Sequence, residues 1–276
     1  MRSAARHFYI HGSEPKEQRR LSRLNELLNR ACLRELALTG GEAVLDVGSG
    51  LGQFTREIAR AVGSDGQVMG IERDKQQLSE ARRQAHLQGE SNLIEWRHGD
   101  AMKFPIEKSE WGRFDVAHAR FVLEHLREPE RVVHQMVRAV RRRGRVVLAD
   151  DDHQILRLWP ERPGFVDLWQ AYIRSYEQLG CDPFIGRRLV SLLHDANAKP
   201  TRNHLIFFGC CAGAPEFSAF VQNLIGVIET ARDIITGPIG FSSKRFGHVL
   251  RGVRHWSERP DAAIWYGLCW AEGVRL

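Results

Sequence analysis

Ala43-Val44-Leu45-Asp46-Val47-Gly48-Ser49-Gly50-Leu51-Gly52 reads as a short apolar strand running straight into a glycine-rich turn. Branched apolar residues bounded by turn residues suit a buried strand. Gly48 and Gly50 permit a tight turn and leave no Cβ between the backbone and a ligand. Behind the turn, Gln53–Val62 sets Phe54, Ile58 and Val62 on one helical face. Glu72 stands twenty residues past Gly52, at the end of the next apolar stretch. A carboxylate placed there accepts the hydroxyls of a ribose in nucleotide-binding α/β folds.

Outward from this unit the pattern alternates. Strands are expected at Gln67–Glu72, Asn92–His98, Phe114–Ala119 and Arg145–Asp150, with helices at Lys75–Gln88 and Pro129–Arg141. The last helix opens on proline, closes at Gly144 and ends in arginines that suit its dipole. Upstream, Pro15 to Leu38 keeps a helical period. The alternation breaks after Asp152, where residues 156–198 read as two helices with no strand. Leu205–Cys210 then reads as a strand, Pro215–Ile235 as a long helix and Ala263–Gly273 as a last strand.

The expected fold is therefore α/β: a doubly wound, mostly parallel seven-stranded sheet with N-terminal helices and a helical lid insertion. Residues 1–40 would form a helical segment and 41–155 the binding core. Residues 156–200 form the lid and 201–276 the rest of the core. The lid would rise from the carboxyl edge of the sheet, where such folds bind ligands.

Composition narrows the class. No apolar run approaches the roughly 18 residues a membrane helix needs, and the N-terminus lacks a signal-peptide core, so a cytoplasmic, membrane-independent protein is expected. Five cysteines without a CxxC pair or zinc spacing argue against a disulfide frame or a structural metal, and no metal site is expected. The net charge of +6 comes from arginines scattered along helices, not from a basic patch, so no nucleic-acid partner is expected.

Two details separate the glycine turn from a dinucleotide site. Gln53 stands where a dinucleotide fingerprint has its third glycine, and Asp46 precedes the first glycine by two. An acid there repels a pyrophosphate and suits an ammonium group or an amide network. The chain resembles the class I S-adenosylmethionine-dependent methyltransferases, in the small-molecule branch related to ubiquinone and menaquinone biosynthesis. Val44–Gly52 is similar to that family's first motif and Ile71-Glu72-Arg73-Asp74 to its second. Gly99-Asp100-Ala101 is similar to its third, and Phe114–Ala117 with Phe121–Leu126 to its fourth. The likeness runs from about Tyr9 to Asp152.

That resemblance implies a Rossmann-like methyltransferase fold and S-adenosylmethionine as cofactor. It implies cofactor contacts at Asp46, Gly48, Ser49, Gly50, Gly52, Glu72, Arg73, Asp100, Ala101, Arg120 and Phe121. Glu72 would meet the ribose, Asp100 the adenine amino group and the next backbone amide a ring nitrogen. A leader in the same branch folds over the cofactor, which implies that residues 1–40 cover it and adds Tyr9, Gln18 and Arg23 as contacts. The reaction implied is methylation of a small aromatic or apolar acceptor at O, N or C, by a monomer or homodimer. The alternatives are a cofactor-binding protein without catalysis and an NAD(P)-dependent dehydrogenase. The nucleic-acid branches carry an Asn/Asp-Pro-Pro-aromatic or a Pro-Cys motif, and neither occurs here.

The methyl donor is already activated, so the protein mainly has to align it with its acceptor. A proton-bearing acceptor also needs a base. His125, Asp151 and His153 are the candidates; Asp150-Asp151-Asp152 clusters acids at a strand end, expected to be solvated with one acid near the substrate, the alternative being a magnesium site. Phe165, Trp169, Tyr172 and Tyr176, at spacings of four, three and four, share one helical face in the lid.

Overall fold

The computed structural model describes the backbone from Pro15 and side chains from Glu26 onward. Tyr9 and the side chains of Gln18 and Arg23 lie outside the described residues. Helix α1 (Pro15–Leu36) buries Leu28, Cys32 and Leu36, spaced one turn apart, against α2 (Gln53–Val62). Between them β1 (Ala43–Val47) is buried along most of its length.

The chain then builds β2 (Gln67–Glu72), α3 (Lys75–Leu87), β3 (Ile94–His98), β4 (Phe114–Arg120), α4 (Pro129–Ala139) and β5 (Val140–Asp151). Asp74 caps α3 by accepting from the Gln76 and Gln77 N–H groups. After the short β6 (Arg157–Trp159) come α5 (Phe165–Gln178), α6 (Leu189–Asp195), β7 (Ala198–Phe207) and β8 (Cys210–Cys211). Three helices follow, α7 (Phe217–Thr230), α8 (Arg232–Thr236) and α9 (Ser243–Trp256), and then β9 (Ala263–Trp265) and β10 (Gly267–Arg275).

Seven strands form one sheet in the order β3-β2-β1-β4-β5-β10-β7. The first five are parallel, and β10 runs antiparallel to both β5 and β7. The order reverses between β1 and β4, so their carboxyl ends open the crevice in which such sheets bind ligands. One apolar cluster joins α1, α2, α5, α7 and α9 on one side, and another joins α4 and α6 on the other. No helix among the described residues is long and apolar enough to cross a membrane.

Several boundaries depart from the sequence expectation. Helix α4 stops at Ala139, and Arg141 to Gly144 bulge out of β5, because Val140 pairs with Phe114 while Arg145 pairs with Val116. Arg141 bonds Asp115 instead of closing a helix. Residues 156–198 include a strand, β6, which joins β9 and β8 in a second, antiparallel sheet. The expected final strand divides at Tyr266 between the two sheets, and the expected long helix divides at Ala231.

The helical layer is also larger than residues 156–200. Helix α6 packs on β7 and β10 and belongs to the main sheet, whereas α5 packs on α8 and α9. The helices that pack with α5 thus come from residues after β7 as well as before it.

Candidate active site

The glycine turn is held from beneath. The Gly48 and Ser49 N–H groups both donate to the Ile71 carbonyl, at 2.9 and 3.0 Å. Gly48, Gly50 and Gly52 have φ of 73°, 55° and 71°, the left-handed region that glycine enters without strain. Their surroundings differ. A Cβ on Gly48 would run into Val122 and one on Gly52 into Trp96, whereas one on Gly50 would meet only the Gln77 side chain at 3.3 Å.

Glu72 ends β2 and is buried. One carboxylate oxygen accepts from the Gly50 N–H at 2.9 Å and the other from the Asp74 N–H at 2.7 Å. Burial raises its pKa, and these backbone donors oppose the rise. Asp46 lies below the turn and accepts from the Thr55 hydroxyl at 2.6 Å, with His118 Nδ1 at 2.8 Å. Asp46 therefore positions α2 and His118.

Two adjoining hollows flank the turn. One, of about 740 Å³, is lined by Gly48, Gly50, Glu72, Arg73, Asp100, Ala101, Phe121 and His125 among others. The other, of about 600 Å³, is lined by Asp46, Ser49, His118, Arg120 and Phe121, again with Gly48 and Gly50. Gly52 lines neither; it lets α2 start close against Trp96. In the smaller hollow, Ser49 Oγ and His118 Nε2 are buried and have no hydrogen-bond partner among the described residues. Buried polar atoms of that kind call for a ligand or solvent. The Arg120 guanidinium, stacked 4.3 Å over Phe54, supplies positive charge beside them.

Phe121 turns the chain out of β4 with φ of 55°, a conformation that costs a bulky residue about 1–3 kcal/mol. Its N–H is tied to the Ala149 carbonyl at 3.0 Å. Asp150 accepts from the Val122 and Leu123 N–H groups at 3.2 and 2.8 Å, so β5 clamps the whole turn.

A third cavity, of about 730 Å³, opens on the far side of Phe121 and His125, which line both it and the larger hollow. Trp169, Tyr172 and Tyr176 of α5 form one wall, and α7 supplies Phe220 and Leu224. The aromatic face of α5 is thus core and cavity lining at once. At its polar end His153 Nε2 lies 3.1 Å from Glu124, and His153 Nδ1 lies 3.0 Å from the Tyr266 hydroxyl. Tyr266 also hydrogen-bonds Asp151. His125 Nε2 lies 3.4 Å from the other Glu124 oxygen, and its ring stacks on Tyr176 at 5.8 Å.

Burial, reinforced by Glu124, raises the Asp150 and Asp151 carboxyls well above the ordinary range. Burial lowers the His153 imidazole pKa, favouring its neutral form. Asp152 is set apart. It accepts from Arg187 through both oxygens at 2.7 Å and caps the turn at Gln154. Glu124, Asp151 and His153 each bring one donor atom within 4.8 Å of the others. Both His153 nitrogens are already engaged, to Glu124 and Tyr266, which is the pattern of a hydrogen-bonded network rather than an open set of metal ligands.

The three residues singled out as bases, His125, Asp151 and His153, therefore meet in one cavity. Sequence reading missed the roles of Glu124 and Tyr266. An acid following Phe121-Val122-Leu123 was a usable signal for Glu124. Nothing local marks Tyr266, which reaches the site through the break between β9 and β10.

Residues 45–148 match the family model described as a methyltransferase domain. An uncharacterized 37.1 kDa protein in a Streptomyces fradiae transposon is 31% identical over 58% of this chain and 45% of its own length. A demethylmenaquinone methyltransferase of Desulfitobacterium hafniense is 26% identical over 68% of this chain and 73% of its own length. The fold matches the crystal structure of a SAM-dependent methyltransferase from Aquifex aeolicus. That match has a TM-score of 0.52 and 21% identity, covering 70% of this chain and 92% of that one.

Proposed function

From the premise that this chain carries the family's methyltransferase domain over residues 45–148 and has the fold of its S-adenosylmethionine-dependent members, we propose that it methylates a small aromatic or apolar acceptor held in the third cavity. The observation that carries this reading is the shared wall. Phe121 and His125 line both the cleft beside the glycine turn and the aromatic cavity, so ligands in the two would meet there.

The residues present suit S-adenosylmethionine, which supplies a methyl group on an already activated sulfonium. Glu72 would take the ribose hydroxyls, since each of its oxygens keeps a lone pair beyond its backbone donor. Asp100 and Ala101 would meet the adenine. Arg120 would pair with the carboxylate of the amino-acid end, with Ser49 Oγ and His118 Nε2 beside it.

The acceptor side is built to exclude water and to receive a proton. Trp169, Tyr172 and Tyr176 close it from α5. A carboxyl held above its usual range is a stronger base once ionised, and Asp151 and His125 are the groups placed to accept a proton from an acceptor. We read α5 with α7–α9 as the cover that selects the acceptor.

The test is a thermal-shift and turnover pair. S-adenosylhomocysteine should stabilise the protein, and a nicotinamide dinucleotide should not. A panel of aromatic acceptors with labelled S-adenosylmethionine should yield labelled product for at least one member. Stabilisation by the dinucleotide alone would overturn the cofactor. Tight S-adenosylhomocysteine binding with no turnover on broad panels would favour a non-catalytic binder.

A further inference from the structure

Thr55, Asp46 and His118 form a buried chain beneath the glycine turn. The Asp46 carboxylate takes the Thr55 hydroxyl on one oxygen at 2.6 Å and meets His118 Nδ1 with the other at 2.8 Å. A carboxylate only accepts hydrogen bonds, so the hydrogen of a neutral His118 ring sits on Nδ1. Nε2 is then an acceptor. It belongs to a side chain 1% exposed that lines the smaller hollow, and it has no hydrogen-bond partner among the described residues.

Arg120 stands two residues further along β4 and lines the same hollow. Alternate residues of a strand share a face. Phe54 confirms the shared face here, with its ring 5.1 Å from that of His118 and 4.3 Å from the Arg120 guanidinium. One strand face thus carries an imidazole nitrogen that accepts beside a guanidinium that only donates. The Ser49 hydroxyl in the same hollow donates or accepts equally well, so it sets no polarity.

A buried acceptor is costly unless something donates to it. Resting on the S-adenosylmethionine reading above, we infer that His118 binds the ammonium group of the cofactor's amino-acid end through Nε2, with Asp46 as the positioning residue that holds Nδ1–H. The acid before the glycine turn therefore reaches the ligand through an imidazole, because both of its own oxygens are engaged. The orientation of the amino-acid end follows: carboxylate toward Arg120, ammonium toward His118.

Three ligands separate these contacts by calorimetry, run above the ordinary histidine range. They are S-adenosylhomocysteine, its deamino analogue with hydrogen in place of the amino group, and its decarboxy analogue with hydrogen in place of the carboxylate. The wild type should bind the deamino analogue about tenfold more weakly than S-adenosylhomocysteine. His118→Asn keeps an amide N–H near the place of Nδ1 for Asp46 and removes Nε2. It should weaken S-adenosylhomocysteine and the decarboxy analogue by about tenfold each, and the deamino analogue by less than about twofold. His118→Phe takes its place if that variant does not fold. In protein carrying isotope-labelled histidine, nitrogen NMR should show hydrogen on His118 Nδ1 and a bare Nε2 whose signal moves when S-adenosylhomocysteine is added.

The proposal is overturned if the folded variant weakens all three ligands alike, or if the hydrogen of the free ring sits on Nε2. It is overturned too if the variant spares the decarboxy analogue, the mark of an Nε2–H that meets the carboxylate. If neither variant folds, the wild-type ratio and the tautomer decide. Failure of S-adenosylhomocysteine to bind would strike the cofactor reading and this assignment with it, whereas binding with the wrong pattern strikes this assignment alone.

Discussion

Glu124 Oε2 and His153 Nε2 lie 3.1 Å apart, joining the turn after β4 to the turn after β5 beneath the aromatic face of α5. Trp169 holds the backbone of the same residue, its indole N–H donating to the His153 carbonyl at 2.6 Å, and its ring lies edge-on to the imidazole at 5.6 Å. The polar end of the cavity is thus fixed by residues from three elements that are far apart in the chain. Its shape depends on α5 as much as on the sheet.

Removing the Glu72 carboxylate should weaken S-adenosylhomocysteine binding. Glu72→Ala deletes the proposed ribose contacts together with the bonds to Gly50 and Asp74, so affinity should fall by about ten- to a hundredfold. Calorimetry on folded protein checks it; unchanged affinity would refute the ribose assignment.

Gly50 and Gly52 should separate by consequence. Gly50→Ala meets only a flexible side chain, so the fold should survive at a cost of about 1–2 kcal/mol for the left-handed residue, with cofactor affinity lost. Gly52→Ala adds a collision with Trp96 and should cost about 1–3 kcal/mol more by overpacking. Melting curves beside binding isotherms distinguish the two, and equal destabilisation in both variants would contradict this placement.

Tyr172→Phe removes only the hydroxyl that meets Tyr176, and it should alter acceptor turnover while leaving S-adenosylhomocysteine affinity within about twofold. Trp169→Ala goes further. Trp169 is 6% exposed, so truncation should cost about 3–5 kcal/mol of stability. If Tyr172→Phe behaved as wild type with every acceptor tested, the aromatic face would serve packing alone.

Stability should respond to pH through Asp151. A carboxyl raised by folding stabilises the native state fully only below the ordinary aspartate range, and that contribution is lost as pH climbs toward the raised value. At pH 8 Asp151→Asn should therefore raise Tm by about 2–4 °C, the shift that roughly 1 kcal/mol produces at about this size. At pH 4 the gain should largely vanish. A gain of the same size at both pH values would show that the carboxyl's ionisation is not what costs stability.

The glycine turn, the acid ending β2 and the alternation of strands and helices through Asp152 were all legible in the residue order. Each is local: the side-chain period of a strand or helix and the backbone freedom of glycine are written within a few residues. Gly52 shows where local reading stops, because its need for a missing Cβ comes from Trp96, forty-four residues away. The aromatic cavity lay further out of reach. Glu124, Asp151, His153 and Tyr266 come together only because β5 lies beside both β4 and β10 in the sheet, while residues 208–266 leave the sheet and return over it. That convergence, and the raised acids it produces, are products of burial and of long-range pairing, which no spacing along the chain encodes.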